Sequence, residues 1–261
     1  MRKCPFRLLL AALLCASLMV SAALGEVVRG DLSERFDDIP KVEYEGTTYA
    51  LRNRLTTVLL MGIAADEALG KDVSDFTALI VIDDNEKKIT PVRLAGNLLA
   101  EADGVELPLR EVYALGEDGE GNCLRMVDAV NGLLGEELID DYFAFEVEGA
   151  LAVDGFVPVE GDTEAQLRAL KAVLETRSLD DLNKQYALLS DYIITDMKSG
   201  AAMKVADKAE RYEMLHSVPL PTLAEEGQDE QAQTKEGAYL RVDEEAARAL
   251  VIEAFYEESK W

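Results

Sequence analysis

The most regular feature of the chain is a set of three apolar runs rich in β-branched residues. They read "TTVLLMGIA" at residues 56–64, "FTALIVID" at 76–83 and "ITPVRL" at 89–94. Continuous apolar runs of this length are typical of strands buried on both faces of a sheet. The polar stretch at 64–73 predicts a loop, and "DNEKK" predicts a turn. Pro91 has no amide proton, so the third strand should lie at a sheet edge or carry a bulge.

Helical spacing of apolar residues follows in "NCLRMVDAVNGLLGEEL", at residues 122–138. Asn122 is the predicted N-cap of this helix, and Gly135 is its predicted C-cap. The next segment, "DYFAFEV" at 141–147, predicts a further strand.

The second half of the chain continues this alternation of strands and helices. A helix is predicted from Asp162 or Thr163, another in "AAMKVADKAERYEML", a late strand in "AYLRV", and a last helix capped by Asp243. Since strands alternate with helices throughout, the sequence predicts a single α/β domain with a mixed central β-sheet and helices on both faces. We expect this domain over residues 56–261, preceded by an N-terminal extension and first strands at 26–55.

The N-terminus has the pattern of an export signal. Arg2, Lys3 and Arg7 precede a stretch without charge from residue 8 to residue 24. Small residues at 23 and 25 then offer a cleavage site. This pattern predicts a signal peptide at 1–25, with a retained membrane anchor as the alternative, and therefore a secreted or membrane-anchored protein on the extracytoplasmic face of the membrane.

Composition narrows the function classes. The formal net charge is -25, and without the three basic residues of the leader it becomes -28. A surface this acidic repels phosphate backbones, so we expect no nucleic-acid partner. Outside the leader the chain holds one cysteine, Cys123, and one histidine, His216. This excludes an internal disulfide and a thiolate metal cluster, and we expect both residues to be structural.

Several stretches, taken in order, resemble the LytR-CpsA-Psr family of bacterial cell-envelope proteins. They are "TTVLLMGIA", "VSDFTALIVIDDNEKKIT", "VYALGEDGEGNCLRMVDAVNGLLGEELIDDYFAFEVEGA", "GDTEAQLRALKAVL", "YIITDM" and "YLRVDEEAARALVIEAFY". The resemblance runs from about residue 45 to the C-terminus. It implies an extracytoplasmic protein that transfers a glycopolymer, as a phosphodiester, from a polyprenyl-pyrophosphate carrier to peptidoglycan. Arginines and a carboxylate-held Mg²⁺ would face the pyrophosphate, and an apolar pocket would hold the lipid.

The resemblance also implies a set of candidate site residues. Asp75 matches the family's Ser-Asp and is the candidate catalytic residue and Mg²⁺ ligand. Asp162 and Arg168 keep family positions, and Asn97 falls at the end of the family's Pro-Arg-Asp motif. Arg93 is a nearby cation that would compensate for lost arginines. Its alternative role is a surface arginine paired with a carboxylate, and the alternative role of Asp75 is an N-cap or turn acceptor.

The chain also departs from the family pattern. Val73, Gly96 and Ala165 stand where the family has arginines, and a segment with further arginines is missing before residue 163. Each charge-assisted contact is worth about 1.5–3 kcal/mol, so losing several should weaken phosphate binding by orders of magnitude.

Three hypotheses follow. The first is a degenerate family member that binds a polyprenyl-(pyro)phosphate lipid or glycopolymer, or assists an active paralogue in cell-wall assembly. The second is an active phosphotransferase that relies on Asp75, Arg93 and Arg168 with Mg²⁺. The third is an unrelated secreted α/β module that binds a small ligand or a protein.

Overall fold

The computed structural model describes residues 40–116, 118–146, 190–223 and 239–259, together with single residues at 157, 165, 169 and 172. The predicted signal peptide and the candidate residues Asp162 and Arg168 lie outside the described residues, and so does the helix predicted near residue 163 apart from its residues 165, 169 and 172. No helix within the described ranges is long and apolar enough to cross a membrane.

The strands of the described ranges are β1 (Lys41–Tyr44), β2 (Thr47–Leu51), β3 (Leu55–Asp66), β4 (Lys71–Asp83), β5 (Lys88–Leu94), β6 (Leu99–Ala102), β7 (Val105–Pro108), β8 (Asp141–Glu146), β9 (Ile193–Thr195), β10 (Glu213–Met214), β11 (Val218–Pro219) and β12 (Tyr256–Glu258). The α-helices are α1 (Leu109–Val112), α2 (Gly119–Leu134), α3 (Ser199–Arg211) and α4 (Glu244–Phe255). Short 3₁₀ helices occur at Tyr113–Leu115 and Ser190–Tyr192.

A mixed central sheet organises the fold, as predicted. Its strand order is β10-β5-β4-β3-β8-β9, and β11 also pairs with β5. The strands β3, β4 and β5 are antiparallel neighbours, whereas β3 and β8 run parallel. All three apolar runs at 56–64, 76–83 and 89–94 therefore lie in adjacent strands at the centre of the sheet, which explains their continuous apolar character.

The β3–β4 hairpin is longer than the sequence predicts. The two strands stay paired from Leu55 opposite Asp83 to Asp66 opposite Lys71, so only residues 67–70 form the turn. The expected loop over 64–73 is therefore wrong. A strand pair satisfies its own backbone hydrogen bonds, so polar side chains do not end it where they face solvent.

Pro91 occupies a gap at the outer side of β5. Towards the edge of the sheet, β10 pairs with residues 88 and 89, while β11 pairs with residues 92 and 93. Pro91 falls between these two short pairings, where no neighbour needs its missing amide proton. The prediction of an edge strand is therefore wrong for β5 as a whole, although Pro91 itself has no partner strand on its outer side.

Both faces of the sheet are buried. On one face, side chains such as Leu59, Leu79 and Val92 join α2 and α4 in one apolar cluster. On the other face, Leu60 and Ile80 are also buried but lie outside that cluster. The fold is therefore a mixed α/β domain with a central sheet flanked by helices, as the sequence predicts.

A second, three-stranded sheet joins the two ends of the domain. Its order is β1-β2-β12, and Glu45 and Gly46 turn the β1–β2 hairpin with positive φ angles of 51° and 78°. The strand β12 begins at Tyr256, where the sequence pattern predicts a longer final helix. The predicted strand in "AYLRV" is reduced to isolated bridges at Leu240 and Val242.

The ends of α2 correct one expected cap and confirm the other. The N-cap is Asp118, whose Oδ1 accepts a hydrogen bond of 2.7 Å from the Gly121 amide, so the assignment of Asn122 is wrong. Gly135 closes the helix with a φ of 76°, as predicted. Asp243 caps α4 as predicted, since its Oδ1 accepts from the Ala246 amide at 3.1 Å.

Candidate functional site

Asp75 lies on a β-bulge inside β4. Gly62 of β3 pairs with Phe76 and Ile63 pairs with Ser74, so Asp75 is the extra residue in the ladder. A bulge breaks the alternation of side chains and re-aims one of them, and Asp75 is exposed within a strand that is otherwise mostly buried. Asp75 therefore lies inside a strand, and not at the start of a helix or in a turn.

The bulge is held by the hydroxyl of the residue before it. Ser74 is fully buried, and its Oγ donates to the Phe76 carbonyl at 3.1 Å. The same hydroxyl lies 2.9 Å from the Thr77 hydroxyl, which is also buried. These bonds satisfy the buried oxygens and fix the backbone on either side of Asp75. Ser74 thus supports the bulge, and Asp75 faces outward.

The end of β5 lies beside this bulge. Leu94, the last residue of β5, pairs with Thr77, so the following turn at 95–98 runs towards the level of Asp75. The Leu98 amide closes the turn on the Ala95 carbonyl at 3.1 Å, and the Asn97 carbonyl accepts from the Leu240 amide at 3.0 Å. The side chain of Asn97 is exposed. Two candidates predicted from sequence, Asp75 and Asn97, therefore lie at the same end of the sheet.

An arginine from another element covers the glycine of this turn. The amide of Arg110 in α1 donates to the Gly96 carbonyl at 2.9 Å. A Cβ placed on Gly96 would lie 3.3 Å from the Arg110 Cβ and 3.7 Å from its Cδ. The stem of Arg110 therefore packs on the space that a side chain at 96 would need. The sequence interpretation missed Arg110, although it is one of only two arginines between residues 94 and 167.

The guanidinium of Arg110 reaches the β3–β4 hairpin. Its Nη2 donates to Asp66 Oδ2 at 2.9 Å, while Asp66 Oδ1 accepts from the amides of Ala68 and Leu69 at 2.9 Å and 3.2 Å. The Nε of Arg110 is buried and has no hydrogen-bond partner. Asp66 thus fixes one edge of the guanidinium while another donor stays unused.

Arg93 has a different environment. It is exposed in β5, where it pairs with Ala78 on one side and with Pro219 on the other. Its neighbour Leu94 belongs to the apolar cluster under α2, so the Arg93 side chain lies on the opposite face of the sheet. Among the residues that the structure describes, no carboxylate forms a salt bridge with Arg93. The cation that contacts Gly96 is Arg110 instead.

A metal ion at this end would have one carboxylate from Asp75. The described residues contain no group of three or more His, Cys, Asp or Glu side chains that could hold a metal ion. Mg²⁺ often takes only one or two protein carboxylates and completes its shell with phosphate oxygens and water. An exposed Asp75 beside a phosphate ligand fits that mode of binding, and the described residues do not fit an all-protein metal cage.

Cys123 and His216, the only cysteine and histidine after the predicted leader, take no part in this site. Cys123 is fully buried in α2, and burial raises the pKa of its thiol to about 12. It is a small buried hydrophobic residue, as predicted, rather than a nucleophile. His216 is exposed in the segment between β10 and β11.

Comparison with known proteins defines the fold. No family model matches the chain, and no curated protein sequence matches it. Solved structures do match, among them protein gbs0355 from Streptococcus agalactiae, with a TM-score of 0.51 and 16% identity over 80% of this chain and 90% of that chain. TagT bound to LI-WTA matches with a TM-score of 0.52 and 14% identity over 77% and 90% of the two chains. TagU from B. subtilis matches with a TM-score of 0.50 and 13% identity over 76% and 94%.

The chain has a LytR-CpsA-Psr-like fold. Within this LytR-CpsA-Psr-like fold, Asp75 on its bulge and the turn at Gly96 and Asn97 meet at one end of the sheet. Arg110 and Asp66 are the other described residues that we assign to this end of the sheet. What the arrangement offers chemically is one exposed carboxylate at this end of the sheet and a guanidinium anchored to the β3–β4 hairpin.

Proposed function

We propose that the protein is an exported cell-envelope protein that binds a polyprenyl-pyrophosphate lipid or the glycopolymer it carries, and that it is weak or inactive as a transferase. Its role would be accessory to cell-wall assembly, alone or beside an active paralogue. The LytR-CpsA-Psr-like fold supports a cell-wall glycopolymer as the class of ligand. Two of the matching structures are of TagT bound to LI-WTA and to LIIa-WTA, which supports a lipid-linked ligand for this chain as well.

The observation that carries the proposal is the turn at the end of β5. At Gly96 no side chain extends into the site, and the stem of Arg110 packs against the position instead. Phosphoryl transfer depends on positive charge aimed at the oxygens where negative charge develops. In the described part of this site, Asp66 pairs with Arg110 and offsets its charge, so the residues favour anchoring a phosphate group over driving its transfer.

Asp75 would carry the remaining metal chemistry. If Mg²⁺ binds with the ligand, Asp75 would help to hold it, and the ion would supply positive charge to the phosphate group. The part of the chain itself is to present the Asp75 carboxylate, which the bulge points outward and the Ser74 hydroxyl keeps in place.

The test measures binding and turnover on the same purified protein. A polyprenyl-pyrophosphate-linked glycan is added with Mg²⁺, binding is measured by calorimetry, and release of polyprenyl phosphate or pyrophosphate is followed in time. We expect binding without turnover, and weaker Mg²⁺-dependent binding for Asp75→Ala. Asp72→Ala is the matched control, because Asp72 is an exposed aspartate of the same strand in regular pairing with Ala65.

Two other outcomes would change the assignment. Turnover that Asp75→Ala abolishes would make the protein an active phosphotransferase, the hypothesis that the retained Asp75 favours. A protein that binds none of the lipid-linked substrate would instead be a secreted α/β module with another ligand.

A further inference from the structure

Arg110 is held at three points, which is unusual for an arginine that is partly exposed. Its amide bonds to the Gly96 carbonyl, its stem packs on Gly96, and its Nη2 bonds to Asp66. Asp66 is itself fixed, because its second oxygen accepts from the backbone of the hairpin turn. The side chain of Arg110 is 38% exposed and that of Asp66 is 16% exposed. The guanidinium is therefore preorganised, with its carboxylate on the inner side and solvent on the other.

The remaining donors of this guanidinium point to an anionic ligand. Arginine has five N–H donors, and the structure gives Arg110 a side-chain hydrogen bond to Asp66 through Nη2. The Nε donor is buried and has no hydrogen-bond partner, so a ligand cannot reach it in this conformation. The terminal nitrogens are the donors that the exposed part of the side chain offers, and a phosphate group accepts from two guanidinium N–H groups together in a paired geometry.

We propose that Arg110 is the arginine that binds the pyrophosphate group of the lipid-linked ligand, with Asp66 as its positioning residue. This inference rests on the proposed function. Arg110 approaches Gly96 from α1, so this chain supplies from a helix a guanidinium that the strand end lacks. Binding is thereby retained in a site whose strand carries no arginine at 96.

A matched control is available in Arg125. It also forms one salt bridge to an aspartate, with Nε bonded to Asp103 at 2.9 Å and a side-chain exposure of 35%. The guanidinium of Arg125 lies beside Gly116 instead of the Gly96 turn, and its Nη1 donates to the Gly121 carbonyl at 3.3 Å. The two arginines thus match in charge, in their salt bridge to an aspartate and in exposure. They differ in position, because Arg110 packs on the Gly96 turn and Arg125 does not.

The experiment compares three probes, farnesyl pyrophosphate, inorganic pyrophosphate and farnesol, by calorimetry on the full protein. For Arg110→Ala we expect about ten- to hundredfold weaker binding of both pyrophosphate probes. Farnesol, which has no phosphate, should bind as it does to the wild type. Arg110→Lys keeps the charge and most of the stem but lacks the paired N–H groups of a guanidinium, so it should regain less than half of the lost binding free energy. Arg125→Ala should bind all three probes like the wild type, and thermal unfolding of each variant checks that it is folded.

The results separate the two proposals. If the wild type binds no farnesyl pyrophosphate, the proposed function and this inference both fail. If the wild type binds it and Asp75→Ala weakens the binding while Arg110→Ala does not, only the role of Arg110 is overturned. Full rescue by lysine would overturn the role of the paired guanidinium donors, and equal weakening of farnesol binding would show that Arg110 only supports the fold.

Discussion

Gly116 offers a sharp test of how the β7–α2 connection is packed. It follows the 3₁₀ helix with φ -96° and ψ 178°, a backbone conformation that alanine adopts without strain. A Cβ at this position would lie 1.9 Å from Asn122 Oδ1 and 2.6 Å from Arg125 Nη1. Asn122 is only 9% exposed, so its side chain has little room to move. Gly116→Ala should therefore destabilise the protein by steric conflict alone.

The size of the effect follows from two opposing terms. Overpacking a well-filled site costs about 1–3 kcal/mol, and Gly→Ala gains about 0.4–1 kcal/mol by restricting the unfolded chain. We expect a net loss of about 1–2 kcal/mol in the free energy of unfolding, which corresponds to about 2–8 °C in Tm for a domain of this size. Removing the obstruction with Asn122→Ala in the same chain should recover most of the loss.

The assay is urea unfolding followed by circular dichroism, with thermal unfolding as a second measurement. The matched control is Gly132→Ala, because Gly132 lies inside α2 and nothing lies within 4 Å of an added Cβ. Alanine is a better helix former, so this control should gain about 0.5–1 kcal/mol. The reasoning is refuted if both variants shift stability in the same direction, or if Asn122→Ala does not relieve the Gly116→Ala variant.

Three further predictions concern buried and partly buried groups. Cys123, fully buried with a thiol pKa raised to about 12, should react with a thiol reagent only at the rate of unfolding, and fast labelling of the native protein would contradict this. Burial first, and then two nearby aspartates, raise the pKa of Asp141. The folded state therefore binds the Asp141 proton more tightly than the unfolded state does. The free energy of unfolding falls as pH rises from about 3.9, the pKa in the unfolded chain, through the raised pKa in the folded protein. Asp141→Asn should stabilise the protein at pH 7 but not below pH 4, and an equal effect at both would refute the assignment. Arg52 donates hydrogen bonds of 2.9 Å and 3.0 Å to two backbone carbonyls at the end of α4. Arg52→Ala should therefore lower the free energy of unfolding in urea by about 1–3 kcal/mol. Arg248→Ala loses one exposed hydrogen bond and should lower it much less.

The elements that the sequence predicts well are those with a local cause. The strands within 56–64, 76–83 and 89–94 follow from continuous apolar runs, and the structure confirms all three. The C-cap of α2 at Gly135 is equally easy to predict, since the left-handed position after a helix favours glycine. These patterns depend on neighbours a few residues away, which is why no tertiary information is needed to find them.

The errors arise where the local pattern is weak. The sequence predicts that α2 starts at Asn122 because asparagine favours the N-cap position, yet the carboxylate of Asp118 begins the helix four residues earlier. The hairpin between β3 and β4 extends through polar residues because pairing across the two strands satisfies its backbone. Long-range hydrogen bonds decided both the extent of that hairpin and the position of the bulge within it.

The sequence by itself determined a mixed α/β fold, the apolar strands at its centre, and Asp75 and the Gly96 turn as the residues to examine. Only the tertiary structure decided how they meet. The bulge turns Asp75 outward, and the pairing of Leu94 with Thr77 brings the turn beside it. Arg110 reaches Gly96 through a backbone hydrogen bond across the β6–β7 hairpin, and Asp66 orients it from a segment much earlier in the chain. No local pattern encodes such a contact, because its partners become neighbours only when the sheet and α1 are assembled.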